Sequence, residues 1–124
     1  MKLLLDTHVL VWWLTNDVTL PEAAREAIAD ASLVAVSAVS TWEISIKKAV
    51  GKLEAPDDVE HQVAAHGFTA LTVTLAHGTA AGALPRHHED PFDRMLVAQA
   101  RFEDLTLVTR DKRLAAYEVP ILAA

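Results

Sequence analysis

The chain has 124 residues, a formal net charge of −6 and 52% hydrophobic residues, enough apolar material for one domain (residues 1–124) with its own core and too much for a disordered chain. The absence of cysteine excludes a disulfide framework, a zinc–thiolate site and a thiol nucleophile, so any metal must be held by oxygen or imidazole, with hard cations such as Mg2+ or Mn2+ the first expectation. The acidic balance argues against a broad basic surface for nucleic acid, although a carboxylate cluster loaded with divalent ions is locally positive.

No run reaches the roughly 20 apolar residues of a membrane span. The start, Met1 to Asp6, is too short for a signal peptide, so a soluble cytoplasmic protein is expected. Lys2 to Leu5 reads as a buried strand ending in Asp6, and Thr7 to about Leu14 as a short helix. Pro21 at a first turn, early acids and many alanines predict a second helix to about Ala31. Leu33 to Ser37 is a second strand. Ser40 to Gly51 reads as a helix closed by its glycine, and Ser40 and Glu43 have the spacing of a capping box. Glu43 therefore has two readings, as a cap and as a site acid.

Asp57 to about His66 predicts an outer helix closed by Gly67, Ala70 to Thr74 a third strand, and Leu75 to Leu84 a helix weakened by Gly78 and Gly82. Asp90 before Pro91 is an N-cap signal for a helix to about Glu103, with Asp93 in its first turn. Leu105 to Thr109 is a fourth strand. Asp111 starts a short helix to about Tyr117, and Val119 to Leu122 closes as an edge strand because it contains Pro120.

Strands that are nearly continuous apolar runs, alternating with helices, imply an α/β fold with a parallel sheet covered on both faces. Such sheets carry their sites outside the carboxyl ends of the strands. Asp6, Glu43, Asp90, Asp93 and Asp111 all map to that rim. Two like charges about 4 Å apart repel by roughly 4 kcal/mol at an effective dielectric of 20, so gathered acids must be protonated, paired or metal-bound. Magnesium takes oxygen ligands and keeps several waters, which points to phosphodiester hydrolysis. Against this, Asp6, Asp90 and Asp111 each precede a helix, where aspartate is a common cap.

Thr7 and Thr109 stand beside the acids, either orienting ligands or serving as turn hydroxyls. Lys47, Lys48, Lys52, Arg94, Arg110, Lys112 and Arg113 are candidates to flank a nucleic-acid backbone, although exposed helix charges usually face solvent. His87 and His88 are candidates to coordinate metal or touch substrate, although loop histidines are more often solvated. Trp12, Trp13 and Trp42 read most simply as core, and an exposed one would suit a partner surface.

Four segments, Leu3-Leu4-Leu5-Asp6-Thr7-His8, Val36-Ser37-Ala38-Val39-Ser40-Thr41-Trp42-Glu43-Ile44, Asp90 to Ala100 and Leu107-Val108-Thr109-Arg110-Asp111, closely resemble the PIN-domain ribonucleases, specifically the VapC toxins of prokaryotic toxin–antitoxin pairs. The resemblance spans essentially the whole chain in order. It implies a PIN-like α/β/α sandwich with a mostly parallel five-stranded sheet, Mg2+- or Mn2+-dependent cleavage of RNA, a cognate antitoxin and a homodimer. Residue by residue, Asp6, Glu43, Asp93 and Asp111 match the family's four acids. Asp90 is a second candidate for the third acid. The resemblance implies that Asp6 and Asp93 hold the main metal, that Asp111 binds it through water or helps a second ion, and that Glu43 positions or deprotonates the attacking water. Two alternatives are a PIN fold that binds without catalysis and a receiver-like signalling domain. The latter lacks an acceptor aspartate after the third strand, where Thr74-Leu75-Ala76-His77 stands.

Overall fold

The computed structural model describes residues 1–124. In chain order the elements are β1 (Lys2–Leu5), α1 (Thr7–Leu14), α2 (Glu22–Asp30), β2 (Leu33–Ser37), α3 (Ala38–Ala49), α4 (Val59–Ala65), β3 (Thr69–Leu71), α5 (Leu75–Ala83), α6 (Pro91–Phe102), β4 (Thr106–Thr109), a 3-10 helix (Lys112–Tyr117) and β5 (Ile121–Ala123). The five strands form one sheet in the order β3-β2-β1-β4-β5. All pairings are parallel, with Leu3 opposite Val34, Leu4 opposite Leu107, Val36 opposite Ala70 and Val108 opposite Leu122.

That order decides between two architectures. A receiver-like sheet runs 2-1-3-4-5, whereas here β1 sits between β2 and β4, which makes the β1/β4 boundary the switch point where ligands bind in doubly wound sheets. The receiver reading is therefore excluded by topology.

β1 explains the two layers of core. Its side chains alternate across the sheet, so Leu3 and Leu5 pack with Val9, Leu10, Ile28, Val34 and Val108 on one face. Leu4 packs with Ala35, Leu96, Val97, Leu107, Leu114 and Tyr117 on the other. Leu3, Leu4 and Leu5 are fully buried. Each such leucine contributes about 1.5–3 kcal/mol of hydrophobic stabilisation, which fixes the strand and hence the position of Asp6 at its end.

Several element boundaries differ from the sequence reading. Helix α3 begins three residues earlier than the capping-box spacing suggests, because Ser37, not Ser40, is the N-cap and its Oγ accepts from the Val39 amide at 3.1 Å. Ser40 and Glu43 are thus inside the helix and buried, and the capping-box reading of Glu43 falls. Pro21 is the N-cap of α2 rather than its first residue. Helix α4 starts only at Val59, and β3 is limited to Thr69–Leu71. Pro120 lies just before β5 instead of within it, its carbonyl accepting from the Leu107 amide at 2.9 Å, and β5 is an edge strand as expected.

Helix α5 forms despite Gly78 and Gly82 because its start is strongly fixed. Thr74 Oγ1 accepts from the His77 amide and His77 Nδ1 accepts from the Thr74 amide, both at 3.1 Å, a reciprocal cap with histidine in place of the usual glutamate. Gly51 and Gly67 follow the C-caps of α3 and α4 at φ 73° and 72°, the left-handed region that terminates a helix and favours glycine. No helix is long and apolar enough to cross a membrane.

Candidate active site

Asp6 follows β1, Glu43 lies in α3 after β2, Asp90 and Asp93 open α6, and Asp111 follows β4. All five acids line one cleft of about 340 Å³, together with His8, Val9, Trp12, Lys47, Arg110 and Arg113. Larger hollows of about 650 and 710 Å³ elsewhere contain none of these five acids. The cleft sits at the β1/β4 switch point, and the four acids expected from sequence are brought together there.

Capping and clustering prove to be one arrangement. Asp6 Oδ1 accepts from the His8 amide at 2.9 Å, and Asp111 Oδ1 from the Arg113 amide at 3.0 Å. Asp90 Oδ1 accepts from the Phe92 and Asp93 amides at 2.8 and 3.1 Å. Each aspartate uses one oxygen to start its helix. Asp6 turns its other oxygen to the Thr109 hydroxyl at 2.7 Å, and Thr109 Oγ1 also accepts from the Asp111 amide at 3.1 Å. Thr109 thus joins two acids at the ends of neighbouring strands. Thr7 donates to Ser40 Oγ at 3.0 Å, tying α1 to α3 beneath the cleft.

Glu43 is almost wholly enclosed. Its Oε2 accepts from Lys47 Nζ at 2.5 Å one helical turn on, while Oε1 is buried without a hydrogen-bond partner. An orphaned carboxylate oxygen carries a desolvation penalty of about 1–3 kcal/mol or more, so something in the working state is expected to engage it.

Electrostatics separate the acids. Burial pushes Asp6 up from the usual carboxylate value, against the opposing pull of the Thr109 hydroxyl and the His8 amide, and the Glu43 charge adds to the upward push. Burial likewise raises Asp93 to about 6, opposed by the His88 hydrogen bond and reinforced by the charges of Asp90 and Asp6. Asp111 goes down, because Arg113 clasps it through Nη2 at 2.8 Å and Nε at 3.0 Å. The Lys47 ammonium is held in its charged form by its bond to Glu43, with Asp90 and Asp93 contributing. The Asp6 charge adds to the upward push on Asp93, whose carboxylate makes no capping bond, whereas Asp90 Oδ1 is committed to two backbone amides.

His88, one of the two loop histidines for which the sequence favours a solvated role over metal or substrate contact, lies beside the acids instead. Its side chain is 9% exposed, not solvated, and Nε2 lies 2.8 Å from Asp93 Oδ2 and 3.7 Å from Asp111 Oδ2. These three side chains present ligand atoms within 4.8 Å of one another. The loop bearing His88 is fixed by Tyr117, whose hydroxyl accepts from the His88 amide at 2.8 Å and donates to its carbonyl at 3.1 Å. Arg94 adds bonds to the carbonyls of Ala81, Leu84, Pro85 and His88, so it is a loop clamp rather than a phosphate contact. The only sequence signal was the polar step Arg86-His87-His88-Glu89 immediately before the cap.

Other basic and aromatic candidates divide. Lys48 pairs with Asp57 at 2.5 Å, away from the acids. Trp12 and Trp13 are half-buried, but Trp42 is 61% exposed, edge-to-face with Phe92 at 5.3 Å. With Ile46 and Val50 it makes an exposed apolar stripe along α3.

Fold and cleft together define an α/β protein whose parallel sheet gathers carboxylates from four separate segments at the carboxyl edge of its strands. Residues 3–120 match the PIN domain family, and the chain belongs to that family. It is 34% identical over 121 residues to Ribonuclease VapC22 of Mycobacterium tuberculosis, covering 94% of this chain and 92% of that one. Its fold is similar to that in the crystal structure of VapBC2 from Rickettsia felis bound to a promoter DNA fragment (TM-score 0.72, 15% identity, 99% of this chain and 98% of that one). It also resembles DNA-bound VapBC from Salmonella typhimurium (TM-score 0.72, 19% identity, 99% and 98% coverage) and FitAcB from Neisseria gonorrhoeae (TM-score 0.69, 20% identity, 98% and 96% coverage).

Proposed function

We propose that this chain is a metal-dependent ribonuclease that hydrolyses RNA phosphodiester bonds and acts as the toxin of a toxin–antitoxin pair. The observation that carries the reading is the convergence of Asp6, Glu43, Asp93 and Asp111 on one cleft at the β1/β4 switch point. Similarity to Ribonuclease VapC22 supports the reaction, and the toxin–antitoxin assemblies among proteins of the same fold support the biological role.

The donor set fits a hard divalent cation. It is rich in carboxylate oxygen, Asp93 is pushed toward protonation when no counter-charge is supplied, and Glu43 Oε1 is left without a partner. Asp6 and Asp93 would hold Mg2+ or Mn2+, with Asp111 assisting through water or at a second ion. When bound, the ion supplies positive charge against a phosphate oxygen and makes water easier to deprotonate.

The protein's own groups do the rest. Thr109 fixes the Asp6 carboxylate, and His88 orients Asp93 by bonding one of its oxygens. Glu43 positions the attacking water and accepts its proton, while Lys47 holds the carboxylate in place through one of its oxygens. Purified protein incubated with RNA, with Mg2+ or Mn2+ and then with excess chelator, tests the reading: cleavage that starts with metal and stops with chelator supports it. The absence of cleavage with either ion removes it in favour of a PIN fold that only binds.

The partner is a cognate antitoxin, and the chain pairs with a second copy through the Trp42, Ile46 and Val50 stripe. A small reading frame beside the gene, and co-purification of its product with this chain, test the first point. Sedimentation of the wild type against Trp42→Glu tests the second.

A further inference from the structure

Three cations line the acidic cleft: Lys47, Arg110 and Arg113. Two are neutralised within the chain, Lys47 by Glu43 and Arg113 by Asp111. Arg110 is different. Its Nε donates to the Ala124 backbone oxygen and its Nη2 to the Thr19 carbonyl, each at 2.7 Å, so backbone oxygens fix the guanidinium and no acidic side chain pairs with it. Its Cζ stands 4.6 Å from the centre of the Trp12 ring, and the His8 ring follows at 6.2 Å from Trp12, tilted by 48°. The cleft wall beside Asp6 is therefore a shelf of flat groups carrying a guanidinium that no acidic side chain claims, fixed in place before any ligand arrives.

RNA has few other places to hold near the acids. The chain carries a net charge of −6, Lys48 is paired with Asp57, and Arg94 is engaged by the carbonyls of Ala81 and Leu84. Phosphate neutralisation, the usual main source of affinity, is thus scarce. Stacking of a base on an aromatic ring or a guanidinium plane needs no such surface and tolerates any base.

On the ribonuclease reading above, we propose that Trp12 and Arg110 form a nucleotide-binding shelf that takes an unpaired base of single-stranded RNA and, through Arg110, its adjoining phosphate. The base must be unpaired, because a base within a duplex offers no free face to stack. The shelf positions the strand across the acids and selects single-stranded over double-stranded RNA.

The test compares Trp12→Leu, Trp12→Phe and Arg110→Gln in steady-state cleavage of an unstructured fluorescent oligoribonucleotide and of its duplex. Trp12→Leu is expected to raise KM about tenfold or more, with a smaller change in kcat, and Trp12→Phe to restore most of the loss. Arg110→Gln should raise KM and lower the slope of log KM against log salt by about one. The duplex should be a poor substrate. Melting temperatures establish that each variant is folded, including Arg110→Gln, which gives up the bonds to Ala124 and Thr19.

A parallel binding measurement separates this proposal from the reaction it rests on. In an Asp6→Asn background, the oligonucleotide should quench tryptophan fluorescence, and the quench should shrink when Trp12→Phe is added. If the wild type cuts no RNA but the Trp12-dependent quench is present, the ribonuclease reading falls and the shelf stands. If cleavage is robust, and Trp12→Leu and Arg110→Gln leave KM, salt slope and strand preference unchanged, the shelf is overturned and that wall serves a protein ligand instead.

Discussion

Thr109 Oγ1 donates to Asp6 Oδ2 at 2.7 Å, a buried bond between residues 103 positions apart that locks the end of β4 to the end of β1. It is the contact that counters most directly the burial pushing Asp6 toward its neutral form. Replacing Thr109 with valine keeps the shape but removes the hydroxyl. We expect a loss of about 1.5–3 kcal/mol at pH 7, read from the shift of the urea midpoint, and a smaller loss well below the ordinary carboxylate value of 3.8, where Asp6 is neutral in both states. An equal loss at both pH values would show that the hydroxyl does not act on the charged carboxylate.

Asp93 sets a pH dependence of the metal-free protein. Its folded value of about 6 lies above the ordinary aspartate value of 3.8. A raised acid stabilises the fold below its unfolded value, and that contribution is lost as pH rises through the folded one, so the sign is a decline between about pH 4 and 6. Chemical denaturation in excess chelator at pH 4.5 and 7 should show this decline in the wild type and a smaller one in Asp93→Asn. A decline of the same size in the variant would place its origin elsewhere.

Added Mg2+ or Mn2+ should reverse that penalty. At ten times the dissociation constant, a ligand specific to the folded state adds about 1.4 kcal/mol of stability, enough to raise the melting temperature by several degrees. Asp6→Asn should abolish RNA cleavage and remove most of this thermal shift while leaving the fold intact, because asparagine also caps a helix. Full activity in that variant would refute the assignment of Asp6.

The His88 loop gives a fourth prediction. Tyr117→Phe removes one hydroxyl that serves both the amide and the carbonyl of His88. Amide hydrogen exchange of residues 86–89 should accelerate, and cleavage should fall several-fold while the core amides of β1 and β4 keep their protection. Unchanged exchange in the loop would mean that Arg94 alone suffices to hold it.

Much of this was legible in the sequence because it is written locally. Asp90-Pro91 marks the start of α6, Gly51 and Gly67 end their helices, and apolar runs give β1, β2 and β4. Family resemblance then picked Asp6, Glu43, Asp93 and Asp111, and the structure brings them together. The errors arose where distant contacts decide. Ser37 displaced Ser40 as the cap because Ser40 is drawn into the core by Thr7, 33 residues away. His88 reads as a loop histidine because the groups that bury it, Tyr117 and Asp111, come 23 or more residues later. Likewise, no local pattern states that β1 lies between β2 and β4, the order that excludes a receiver's sheet.

The aspartates that begin α1, α6 and the 3-10 helix each turn one oxygen to the backbone while their carboxylates line the cleft. Loosening any of those first turns on warming scatters the pocket at once, so thermal inactivation should track fraying of the helix starts, and no partly melted form of the molecule should retain activity.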